Sequence, residues 1–129
     1  GKSTPVSGKP VDAHVVVRAV TPDLVIPFEQ SLVSMGAAAA VTIGNLDIVL
    51  ATKRTQTFSP EAFTRMGIDL AHKKICVVKS SNHFHAAFSK IAAAIHHLDT
   101  GGPFPPDPTR VTYHRVRRPI APLDPDPAL

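Results

Sequence analysis

Residues 38–51 read AAAVTIGNLDIVLA, and this stretch decides the fold. The four alanines at 37–40 would by themselves favour a helix. The run ends instead in Val41-Thr42-Ile43, reaches Gly44-Asn45, and resumes as Leu46-Asp47-Ile48-Val49-Leu50-Ala51. Two β-prone runs separated by a Gly-Asn pair form a hairpin, because both turn positions tolerate the left-handed backbone that a two-residue loop requires. Upstream, residues 11–20 (VDAHVVVRAV) are rich in β-branched side chains and predict a half-buried strand. Pro22-Asp23 marks a turn, and Pro27 excludes a central strand across residues 21–27.

Downstream the pattern changes to helix signals. Ser59 can cap a helix, Pro60 fits its first position, and Glu61 complements its positive end. Phe58 and Phe63 stand at the spacing of a hydrophobic staple, and Gly67 supplies a left-handed stop, so residues 59–66 predict a short helix. Residues 74–78 (KICVV) form a continuously apolar run, as expected of a strand buried on both faces. Ser80 and Ser81 follow at a strand-to-helix junction. Phe84, Phe88 and Ile91 then share one helix face over residues 82–90. Residues 92–98 either continue that helix or, at 94–99, return as a strand that would complete a right-handed β-α-β unit. Residues 103–129 are proline-dense and extended, lying over the body or a partner, with only 110–116 able to pair in a sheet. The fold class is therefore α/β: a single domain over residues 1–129, with a mixed β-sheet, a hairpin and short helices packed on it.

Composition bounds the function. The chain has 129 residues, suited to one domain, and its 43% hydrophobic and 19% charged content is that of a folded globular protein. One cysteine, Cys76, excludes a disulfide framework and a cysteine-based zinc site. No run approaches the roughly 20 apolar residues of a membrane span, and no leader opens the chain, so a cytoplasmic protein without membrane partners is expected. The start at Gly1-Lys2, without methionine, suggests a domain cut from something longer. A net charge of +4 permits anionic partners without demanding them. The basic cluster His114-Arg115-Val116-Arg117-Arg118 lacks interleaved aromatics or any nucleic-acid motif, and it reads as a solvated basic strand or as arginines clamping the chain's own carboxylates. No nucleic acid partner is expected.

Seven histidines raise the question of metals. His83 and His85, two apart on a helix, project about 200° from each other, and adjacent His96 and His97 would point to opposite faces of a strand. No metal site is expected in this chain. The segment Lys79-Ser80-Ser81-Asn82-His83 is richer: ammonium, hydroxyls, amide and imidazole gather where α/β folds bind ligands. It reads equally as a substrate-binding junction or as a helix cap. Arg54 and Gln56, in the polar stretch after the hairpin, offer planar recognition of carboxylates or amides, or else a solvated loop.

Several of these pieces, in one order, resemble the C-terminal domain of the MlrC family, of the microcystin-degradation pathway. They are R-x-Q-x-F (Arg54, Gln56, Phe58), G-I-D (Gly67, Ile68, Asp69), V-K-S-S-x-H-F (Val78 to Phe84), D-T-x-G (Asp99, Thr100, Gly102) and R-R-P-I-x-P-L-D (Arg117 to Asp124). Together they cover residues 48–124, while residues 1–45 fit loosely. The resemblance implies a zinc-dependent metallopeptidase or amidohydrolase as full-length parent, a hydrolase whose metal ligands lie in a larger N-terminal domain. This chain would then be inactive alone, partnered by that N-terminal metal-binding domain and by a peptide-like substrate. In such a parent Lys79, Ser80, Ser81 and His83 are expected to face the substrate cleft, with Arg54 and Gln56 as further cleft candidates, and the resemblance favours the strand at 94–99. His85 would be an ordinary helix-surface residue. The alternative is a purely structural or binding module.

Overall fold

The computed structural model describes residues 9–100 and 107–124. The chain divides into two compact units, Asp12–His96 and a second made of Gly1–Val11 with His97–Leu129. The first holds β1 (Val16–Thr21), β2 (Val25–Phe28), β3 (Ser31–Ser34), β4 (Ala38–Ile43), β5 (Leu46–Ala51), α1 (Glu61–Thr64) and α2 (His85–Phe88). The strands form a three-stranded sheet in the order β1-β4-β5 and a separate β2-β3 pair, all antiparallel. The fold is thus sheet-rich with short helices, and among the described residues the parallel component of the expected mixed sheet is absent.

The hairpin at 38–51 forms in the expected register, Ala38 opposite Ala51 and Ile43 opposite Leu46, turning at Gly44 with φ +57°. Its turn end is fixed by polar and charged contacts. Thr42 Oγ1 donates to Asp47 Oδ1 at 2.5 Å, Arg18 Nε donates to Thr42 Oγ1 at 3.1 Å, and Lys73 Nζ reaches Asp47 Oδ2 at 2.5 Å. The Lys73 ammonium foremost, then the Thr42 hydroxyl, holds the Asp47 carboxyl below its usual range.

Pro27 sits inside β2, opposite Leu32. A two-stranded pair leaves each strand an open edge, where a missing N–H breaks no ladder. The turn between β2 and β3 puts Glu29 at φ 54°, a left-handed position without the glycine or asparagine that would announce it. Gly36, at φ 74°, closes the next corner. Its N–H donates to Asp23 Oδ1 at 3.2 Å, and a Cβ there would run into the Thr52 side chain.

The core gathers Leu24 and Ile26 of the β2 region, Met35, Ala38 and Ala40 of β4, and Ala62, Met66 and Ile68 around α1. The α1 segment carries most of its expected signals: Gly67 takes φ +78°, its N–H donates to the Thr64 carbonyl, and the Ile68 N–H donates to the Phe63 carbonyl, each at 3.1 Å. These paired bonds are the glycine-terminated stop. One signal fails. Ser59 Oγ makes no capping bond; it is buried without a hydrogen-bond partner among the described residues, and only the Ser59 carbonyl serves the helix, accepting from Ala62 N at 3.1 Å.

Two expected strands do not form. Residues 74–78 are irregular, with Ile75 81% and Val77 79% exposed, so the doubly buried strand is corrected to an open segment. Apolar side chains make a run ready to pair, but none of the described strands takes it up, although β1, β5 and the β2-β3 pair keep free edges. Residues 94–99 are neither strand nor helix, which removes the β-α-β unit. Residues 110–116 are likewise unpaired.

In the second unit, Asp107 Oδ1 accepts from Thr109 N at 2.9 Å and opens a single 3₁₀ turn, Pro108–Arg110. Part of the proline-dense stretch, 103–106 and 125–129, lies outside the described residues. Within the rest, Arg118 of the basic cluster clamps the chain's own Asp124, and Arg110, outside that cluster, pairs with Asp99. Asp124 Oδ2 also accepts from Arg118 Nε and from Ile120 N, each at 2.6 Å, and the Arg118 bond foremost lowers its carboxyl from 3.8 to about 2. A depressed folded value means this link is intact above the ordinary carboxylate pKa and is lost as pH falls through about 2. An NMR titration should place the Asp124 midpoint near 2; a midpoint at the ordinary carboxylate value would contradict the clamp. Among the described residues, no helix is long and apolar enough to cross a membrane.

Candidate functional site

Within the unit Asp12–His96, three segments converge on one open groove of about 740 Å³. The end of β2 and its turn contribute Pro27, Phe28 and Glu29. The approach to α1 contributes Phe58, Ser59, Pro60 and Glu61, and the α2 region adds Asn82, His83, His85, Ala86, Ala87, Lys90 and Ile91. The α2 segment is held by its buried face: Phe84 and Phe88 are 6% and 5% exposed, and Phe88 meets Phe63 edge-on at 6.4 Å. Burying those two rings turns His83, His85 and Lys90 toward solvent and the groove.

One wall of the groove is aromatic. Phe28 and Phe58 stack with centroids 4.1 Å apart and planes inclined 25°. The His83 ring stands edge-on to both, at 5.3 Å from Phe28 and 5.9 Å from Phe58. Edge-to-face packing fixes the plane of the imidazole and leaves its nitrogens at the ring rim. Beside it, Ser80 Oγ donates to Gln56 Oε1 at 2.8 Å in a half-buried bond. The wall suits an apolar or planar group, while imidazole nitrogens, the Glu29 and Glu61 carboxylates and the Lys90 ammonium supply polar contacts around it.

Of the six residues singled out by sequence, His83 lines the groove, and Ser80 and Gln56 meet in the hydrogen bond. Arg54, Lys79 and Ser81 are exposed and lie outside the groove lining. Phe28, Glu29, His85 and Lys90 are lining residues that sequence reasoning missed. Phe28 and Glu29 belong to the unforeseen β2-β3 pair. His85 carried only its helix position, which the buried Phe84 and Phe88 could have oriented. Among the described residues, no three His, Cys, Asp or Glu side chains are placed to hold a metal ion.

A family model described as MlrC C-terminus matches residues 1–115. The match takes in residues 1–45, which the motifs alone fit loosely, and ends before the R-R-P-I segment. Microcystinase C of Sphingomonas sp is 23% identical over 125 residues, covering 97% of this chain and 24% of that protein. The chain therefore spans about a quarter of the length of this curated relative. The ordered motifs, with a family match across most of the sequence, identify the chain as a member of the MlrC C-terminus family.

Proposed function

We propose that this chain is the C-terminal domain of a zinc-dependent metallopeptidase or amidohydrolase and completes the substrate cleft of that larger enzyme. The observation that carries the reading is the meeting of two sequence motifs. R-x-Q-x-F and V-K-S-S-x-H-F are joined by the Ser80–Gln56 hydrogen bond, and the Phe58–His83 ring contact ties them again. Both contribute to one groove wall or its support.

On the family reading the ion would be held by the larger N-terminal domain. When bound there, zinc supplies activation of a water molecule against a peptide bond. This chain's share is binding and orientation. The Phe28–Phe58 wall takes an apolar part of a peptide-like substrate, and the fixed His83 ring offers a hydrogen bond to its backbone or to the developing oxyanion. Gln56 holds Ser80 in place, and Lys79, Ser81 and Arg54 supply polar groups at the cleft's outer part.

A structural-module reading is favoured by one observation, that a ring packed edge-on against two phenylalanines is also what a purely architectural residue does. The metal half of the proposal is tested on the full-length parent. Dialysis against a chelator should abolish peptide hydrolysis, and added zinc should restore it. Hydrolysis indifferent to chelation would refute the zinc assignment.

A further inference from the structure

The three-stranded sheet has a second face that the core does not use. Directly opposed residues of antiparallel neighbours share a face. The registers therefore align Val20, Ala39 and Leu50 in one row and Val17, Val41 and Ile48 in the next. The core takes the alternate positions, Ala38 and Ala40 with Ala19 and Val49 packed against it. These two rows carry no charged or polar side chain, and Leu46 continues them with another aliphatic. Yet Val20 is 73% exposed, Val17 58%, Leu46 57% and Leu50 55%. Val41, at their centre, is buried although it lies outside the core cluster. Strands apolar on both faces belong to sheets covered on both faces.

We propose that this outer face docks against an aliphatic surface on the remaining part of the same polypeptide, a proposal that rests on the family reading of the chain. Size selects this occupant. Three strands about 4.8 Å apart and six residues rising about 3.4 Å each present a patch of roughly 300 Å². A stable complex between free partners needs about 800 Å² from each, so a second copy would be held weakly. Two such faces together reach the roughly 600 Å² of the smaller interfaces within one chain, where linkage supplies effective concentrations near millimolar. Chain length agrees, since the match to Microcystinase C leaves about three quarters of that protein outside the aligned stretch. The contact would seat the domain so that the groove beside Phe28, Phe58 and His83 has a fixed position in the whole enzyme.

The test is photo-crosslinking in the full-length parent, with p-benzoylphenylalanine in place of Leu50 and the products mapped by mass spectrometry. A crosslink within one polypeptide, to a peptide outside these 129 residues and independent of concentration, is the expected result. A crosslinked dimer growing with concentration, or a crosslink to residues 97–129, would overturn the proposal. Thiol labelling gives a second measurement should the bulky residue disturb folding. Val20→Cys should react at least about tenfold slower than exposed Thr64→Cys, the protection expected of a buried position; equal rates would overturn it. Zinc dependence and turnover play no part in either readout, so failure of the hydrolase reading and failure of the docking surface give different results.

Discussion

Replacing Ile26 by alanine should lower the stability of the Asp12–His96 unit by about 2–5 kcal/mol, the range for deleting a buried aliphatic side chain. Ile26 is 0% exposed and is the largest side chain to be fully enclosed among the described residues. Its neighbours explain why the loss is large. The core around it includes Ala38, Ala40 and Ala62, which have no side-chain length with which to collapse into a cavity. Of the larger members, Met35 and Met66 could adapt, and they set where in the range the value falls. Leu32→Ala, on β3 but 70% exposed, should change stability by no more than about 0.5 kcal/mol. Urea unfolding measures both, and a loss below about 1 kcal/mol for Ile26→Ala would show that β2 is not packed against α1 as described.

The elements legible in the sequence are those specified by neighbours along the chain. Gly44-Asn45 fixes its hairpin by turn chemistry, and Pro60, Glu61 and Gly67 bracket α1 within eight residues. The elements misread depend on partners far away in sequence. Residues 74–78 have every local property of a strand yet pair with none of the described strands, so composition could not reveal that Ile75 and Val77 stay open. The β2-β3 pair went unseen for the opposite reason. Pro27 argues against a strand, and Glu29 takes a left-handed turn position that its residue type does not advertise. That omission hid one of the groove's three segments, because Phe28 brings the ring on which Phe58 stacks. His83, Ser80 and Gln56 were visible as motif positions, but their meeting across 24 residues of chain was not.

The second large effect is on turnover. On the proposed function, His83→Ala in the full-length parent should lower peptide hydrolysis by about 10²–10³-fold, the loss seen when one preorganised donor is removed from a transition state. Lys79→Ala should also lower turnover more than stability, but by less, since Lys79 is exposed outside the groove lining. Alanine removes the ring packing along with the imidazole nitrogens, and edge-to-face pairs contribute about 0.5–1.5 kcal/mol each beyond buried area. His83→Phe separates the two, keeping an edge-on ring against Phe28 and Phe58 while abolishing the hydrogen bond.

The most direct test of a cleft-forming domain is therefore the hydrolysis rate and melting temperature of full-length His83→Phe beside wild type. A melting temperature close to wild type with turnover reduced by about 10²–10³-fold is the expected result. Wild-type turnover in His83→Phe would contradict it, leaving His83 as a packing residue and the domain as a structural module.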